Sequence, residues 1–142
     1  MKKIGLLIII TTGSLLLNAQ VIVKNLLTEN LVNPIGLDEI KPRFTWQLIS
    51  DKRNVMQKAY EIKVSSGKAS VWSSGKMVSD QSVHIPYGGT ALQSGKKYNW
   101  QVRVWDNSDK PSAWSEGASF QMALLDKNDW KAKWISAGYP ED

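Results

Sequence analysis

From Phe44 onward the chain alternates between apolar and polar residues. Phe44, Trp46 and Leu48 take turns with Thr45, Gln47 and Ile49. Tyr60, Ile62 and Val64 take turns with Glu61, Lys63 and Ser65, and Val83 and Ile85 flank His84. The longest row sets Tyr98, Trp100, Val102 and Val104 against Asn99, Gln101, Arg103 and Trp105. A period of two sends successive side chains to opposite faces of a strand, so each row predicts a strand with one face in a core. Between the rows stand turn formers: Asn33-Pro34-Ile35-Gly36, Ser50 to Asn54, Ser65-Ser66-Gly67, Ser74-Gly75, Pro86 to Gly89, Gln93-Ser94-Gly95 and Asn107 to Pro111. No stretch after the N-terminal segment has a helical stripe. About seven short strands in about 100 residues predict an all-β fold, an antiparallel sandwich of the immunoglobulin or fibronectin type III kind.

Parity then sorts the aromatics. Tyr98 and Trp100 share a face with Val102 and Val104 and are expected in the core, with Trp46 opposite them on the other sheet. Tyr98 follows Leu92 across Gln-Ser-Gly-Lys-Lys, where such sandwiches place a tyrosine whose hydroxyl bonds the backbone just upstream. Trp105 and Arg103 fall on the outer face, and Trp114 arrives just after the next turn. A guanidinium between two indoles predicts a cation–π stack there. Three roles fit it: a ladder that stiffens the sandwich, a sugar-stacking platform, or a contact surface for a neighbouring domain.

The N-terminus has a different character. Lys2 and Lys3 precede an apolar run from Ile4 to Ile10, then a Thr-Thr-Gly-Ser break, Leu15 to Leu17 and Asn18-Ala19. A basic start, a short apolar stretch and a small residue at the cut predict a signal peptide, residues 1–19, and an exported chain with no transmembrane segment, periplasmic or extracellular. Removing those 19 residues from 142 leaves 123, and with two lysines gone the formal charge falls from +5 to +3. The remaining lysines are scattered rather than clustered, which argues against a nucleic-acid partner. With no cysteine, an exported domain must be held by its core alone.

The census of reactive groups is thin. The acidic candidates are Asp38–Glu39, Asp106–Asp109, Glu116 and Asp126–Asp129, each more simply a turn or cap residue than half of an acid/base pair. The only histidine, His84, is expected to face outward. With no cysteine and no second histidine, neither a metal site nor a cofactor is expected. Ser65-Ser66-Gly67 and Ser73-Ser74-Gly75 lack a partnering base. No catalytic residue is assigned, and this chain alone is not expected to be an enzyme.

Five stretches together resemble a known family: "NLVNPIGLDEIKPRFTWQL" (30–48), "VWSSGKMVSDQSVHIPY" (71–87), "YNWQVRVWD" (98–106), "PSAWSE" (111–116) and "LLDKNDWKAKWI" (124–135). They look like the N-terminal portion of secreted bacterial α-L-rhamnosidases of glycoside hydrolase family 78, over about residues 26–135. Ser73 departs from an aspartate that such relatives often carry. The resemblance implies an immunoglobulin-like module preceding further β-sandwich domains and a helical barrel, where an inverting pair of carboxylates cleaves terminal α-L-rhamnose. The barrel's acidic motifs have no counterpart here. The expected layout is therefore a sandwich at 20–125 and a linker at 126–142 towards a missing domain, as in a truncated fragment. The expected role is a non-catalytic accessory module that packs on the downstream domains of the same enzyme. The alternative is a free-standing carbohydrate-binding module for rhamnose-containing glycans, using exposed tryptophans. The candidate contact residues for either are Trp72, Arg103, Trp105, Trp114, Trp130 and Trp134.

Overall fold

The computed structural model describes residues 21–133 and Ile135. The segment assigned to a signal peptide, and Trp134, lie outside the described residues. Among the described residues nine strands follow in order: β1 (Ile22–Thr28), β2 (Ile35–Leu37), β3 (Arg43–Ile49), β4 (Gln57–Ser66), β5 (Ala69–Ser73), β6 (Met77–Val78), β7 (Ile85–Pro86), β8 (Lys97–Asp106) and β9 (Ala118–Met122). One sheet has the order β1-β3-β7. The other runs β2-β9-β8-β4-β5, with β6 also paired to β4. The two sheets meet face to face, with the Phe44 ring of β3 4.4 Å from Trp100 of β8 and Trp46 of β3 5.2 Å from Tyr60 of β4. This is an immunoglobulin-like β-sandwich.

The alternation places the core where parity put it. Phe44, Trp46, Ile62, Val64, Tyr98, Trp100, Val102 and Val104 are all buried. The strand count is higher than seven because β2, β6 and β7 hold only two or three residues, too few to show a period. Alternation also did not mark β1, where Asn25 takes a φ of 52° and the register with β3 shifts between Lys24 and Leu27. One pairing departs from the antiparallel expectation, since β2 runs parallel to β9. Val83 is a second departure. It is 57% exposed rather than inward, because His84 beside it has a φ of 55°, and the pleat that parity assumes begins only at Ile85. His84 itself faces out, its Nε2 2.9 Å from Asn30 Oδ1.

Both deep indoles bring an N–H that needs a partner once water is gone. Trp100 Nε1 donates to Thr28 Oγ1 at 3.1 Å and Trp46 Nε1 to Gln57 Oε1 at 3.0 Å. Gln57 in turn donates to the carbonyls of Ser79 and Gln81. The Tyr98 hydroxyl accepts from the backbone N–H of Gln93 at 2.9 Å, the upstream bond expected of that corner. Among the described residues no buried side-chain polar atom lacks a partner. The chain thus meets its core without a disulfide.

Candidate functional site

The densest chemistry lies on the outer face of the larger sheet. Arg103 and Glu61 are direct cross-strand neighbours on β8 and β4, and parity sends both side chains outward. Arg103 Nη2 is 2.7 Å and Nε 2.9 Å from Glu61 Oε2, while Ser73 Oγ donates to the other carboxylate oxygen at 3.4 Å. The same guanidinium lies 4.9 Å from the Trp105 ring and 4.8 Å from the Trp114 ring. Two lysines extend the series, with Lys76 Nζ 4.8 Å from Trp105 and Lys63 Nζ 4.3 Å from Trp114. Cation and indole therefore alternate in the order Lys76, Trp105, Arg103, Trp114, Lys63.

Trp114 reaches this ladder by an unusual route. β9 pairs with β8 only from Lys97 to Trp100. Beyond that point the segment from Pro111 to Ser115 runs beside β8 and substitutes hydroxyls for missing strand partners. Ser112 N–H donates to Val104 C=O at 2.8 Å and Ser112 Oγ accepts from Val104 N–H at 3.1 Å. Ser115 repeats the pattern with Val102 at 2.9 and 3.1 Å. Three residues on this segment thus span two on β8, which swings the indole of Trp114 out over the sheet.

The arrangement ties charged and aromatic side chains of neighbouring segments into one ladder. Glu61 has both oxygens engaged, one by Arg103 and the other by Ser73. Several of the other acidic residues serve local structure. Glu39 accepts from Lys41 N–H, and Glu116 and Asp109 sit 3.8 and 4.0 Å from Lys24 and Lys58. Burial alone would raise the carboxyl of Asp106, but the Ser108 hydroxyl and N–H bound to it outweigh that and hold it below the ordinary range. Asp126 and Asp129 form a reciprocal cap around the short turn Lys127–Asp129. Among the described residues no group of three or more potential ligands could hold a metal ion.

The candidate tryptophans divide. Trp105 takes the outer face as its parity requires, yet the residue is only 9% exposed, so it is no open platform. Trp72 packs edge-on against Tyr87 at 5.1 Å and against the core, and Gly88 and Gly89 leave it room. Trp114 is half-buried, whereas Trp130 is 57% exposed at the C-terminal end. Sequence reasoning missed Glu61, Lys63 and Lys76. The first two carried a usable signal, an outward parity on the strand beside Arg103. Lys76 carried none, because it stands in the turn between β5 and β6 and meets Trp105 only in the folded chain.

Comparison with known proteins adds the context. Residues 23–126 match the family model described as Rha78A-like, N-terminal immunoglobulin domain. The chain is 41% identical over 117 residues to an α-L-rhamnosidase of Streptomyces avermitilis, which covers 79% of this chain and 11% of that protein. It is 39% identical over 122 residues to an α-L-rhamnosidase of Formosa agariphila, covering 82% and 13% respectively. The crystal structure of the Streptomyces avermitilis α-L-rhamnosidase complexed with L-rhamnose superposes with a TM-score of 0.79 at 38% identity, over 82% of this chain and 12% of that one. The α-L-rhamnosidase from Dictyoglumus thermophilum superposes with a TM-score of 0.76 at 37% identity, over 80% and 14%. The chain thus spans 11% and 13% of the length of the two curated relatives named.

Proposed function

This chain belongs to the family of Rha78A-like N-terminal immunoglobulin domains, and from that premise we propose that it is the non-catalytic accessory module of an exported α-L-rhamnosidase, acting by packing on the domain that follows it. The chemistry, hydrolysis of terminal α-L-rhamnose with inversion, would belong to that enzyme's other domains. The observation that carries the proposal is an apolar strip at the C-terminal end. Leu124 and Trp130, which line one shallow surface depression with Leu125, are 48% and 57% exposed, and exposed apolar surface of this kind marks contact sites.

The strip is presented from a fixed place. Ser94 Oγ accepts from Leu125 N–H at 2.9 Å and donates to Asp129 Oδ2, while Ala123 N–H donates to Leu37 C=O at 2.7 Å. The expected linker is thus latched to the sandwich as far as Asp129, so it would orient the next domain instead of tethering it loosely. Export rests on the residues 1–19 assigned to a signal peptide. Among the described residues no helix is long and apolar enough to cross a membrane.

Two measurements test the proposal. The purified chain should release no chromophore from an aryl α-L-rhamnoside, and release would overturn the non-catalytic assignment. Trp130→Ser should reduce binding of a hydrophobic dye while leaving the melting temperature within about 2 °C, since little of the core is touched. A drop of more than about 5 °C would mean that Trp130 serves the fold itself, and the strip would lose its role as a docking surface.

A further inference from the structure

The outer face of the larger sheet carries a second feature, separate from the strip and independent of the packing proposal. Between β9, β8, β4 and β5 lies an open groove of about 480 Å³. Register explains its floor. Ser119 pairs with Asn99, Asn99 with Ser65 and Ser65 with Ser70, which sets four short polar side chains in one row across four strands. Strand spacing of about 4.8 Å makes that row about 14 Å long. Lys63 and Lys68 also line the groove, and no carboxylate does.

We infer that this groove is a subsite for an anionic oligosaccharide, a short run of uronic acid residues. Hydroxyls and a primary amide can exchange hydrogen bonds with sugar hydroxyls in both directions, whereas lysines only donate. Two lysines without a lining acid select carboxylate-bearing sugars over neutral ones by charge complementarity. The strands fix the polar row in advance, so little ordering opposes binding. The row, about 14 Å long, is long enough to meet a short oligosaccharide and not just one sugar. Lys63 also sits 4.3 Å over Trp114, which links the groove to the end of the cation–indole ladder.

The test is a titration of the isotopically labelled full chain, followed through the side-chain amide signals of Asn99 and Gln101. The probes are tetragalacturonate, its methyl ester and polyglutamate. Tetragalacturonate should shift both amides saturably, with a dissociation constant on the order of 1 mM. The uncharged ester should bind about tenfold more weakly. Lys68→Gln, on an exposed turn outside the core, should weaken tetragalacturonate about threefold to tenfold and flatten the salt dependence. Asn99→Ala should abolish the amide response at Gln101 while the rest of the spectrum stays that of the folded chain. Absence of saturation at about 20 mM, equal affinity for acid and ester, or the same shifts with polyglutamate would each overturn the inference. The last outcome would reduce the groove to a generic cationic surface.

Discussion

Replacing Arg103 with alanine removes the central rung of the ladder, and its cost can be worked from contacts. Two cation–π contacts are lost, at 4.9 and 4.8 Å, each of about 0.5–1 kcal/mol for a partly exposed pair. Glu61, whose side chain is 12% exposed, loses the guanidinium held at 2.7 Å. A charged group left without its partner in such a place costs about 1–2 kcal/mol more. The sum is about 2–4 kcal/mol, or roughly 10–20 °C in melting temperature for a domain of this size. Urea unfolding followed by tryptophan fluorescence should show the midpoint fall with the slope unchanged. Arg103→Lys should recover less than half of the loss, because an ammonium keeps the charge but neither the fork nor the plane. A double-mutant cycle with Glu61→Gln should return a coupling of about 1 kcal/mol or more. If Arg103→Ala costs less than about 0.5 kcal/mol, the ladder is a surface decoration, and the reasoning that assigns it a stiffening role fails.

Other substitutions probe other levels of the structure. Thr28→Val keeps the shape but strips the acceptor from Trp100 Nε1, and it should cost about 1–3 kcal/mol by leaving a buried N–H unpaired, read as a loss in thermal midpoint. At Gly89 a Cβ would collide with the Tyr87 hydroxyl and lie 2.7 Å from Trp72 Cβ, whereas at Gly117 it meets nothing within 4 Å. Gly89→Ala should therefore destabilise by about 1–3 kcal/mol and Gly117→Ala by much less, in the same denaturation assay. Glu29 is held below its ordinary 4.5, chiefly by the Arg43 side chain bound to it. A lowered folded value gives stability that is present above 4.5 and lost as the pH falls through the folded value. Wild type and Glu29→Gln should therefore differ in unfolding free energy at neutral pH and converge in acid; a constant difference across that range would remove the ion pair as its cause.

The amino-acid order determined the sandwich and most of its core. Parity is a local property, so the rows at Phe44–Leu48, Tyr60–Val64 and Tyr98–Val104 fixed which side chains were buried before any pairing was known. It also put Arg103 and Trp105 together on the outer face, while the spacing from Leu92 put Tyr98 at its corner. What it could not supply was long-range. Parity names a face but not its neighbours, so the cover that Lys76 lays over Trp105 came only with tertiary structure. The same holds for Glu61 under Arg103, which depends on the β4–β8 register. Pattern failed outright where backbone conformation breaks the pleat, at Asn25 and His84 with their positive φ and at the Pro111–Ser115 segment. There serine hydroxyls took the place of strand partners, and a hydroxyl's partner is chosen by what the fold brings beside it.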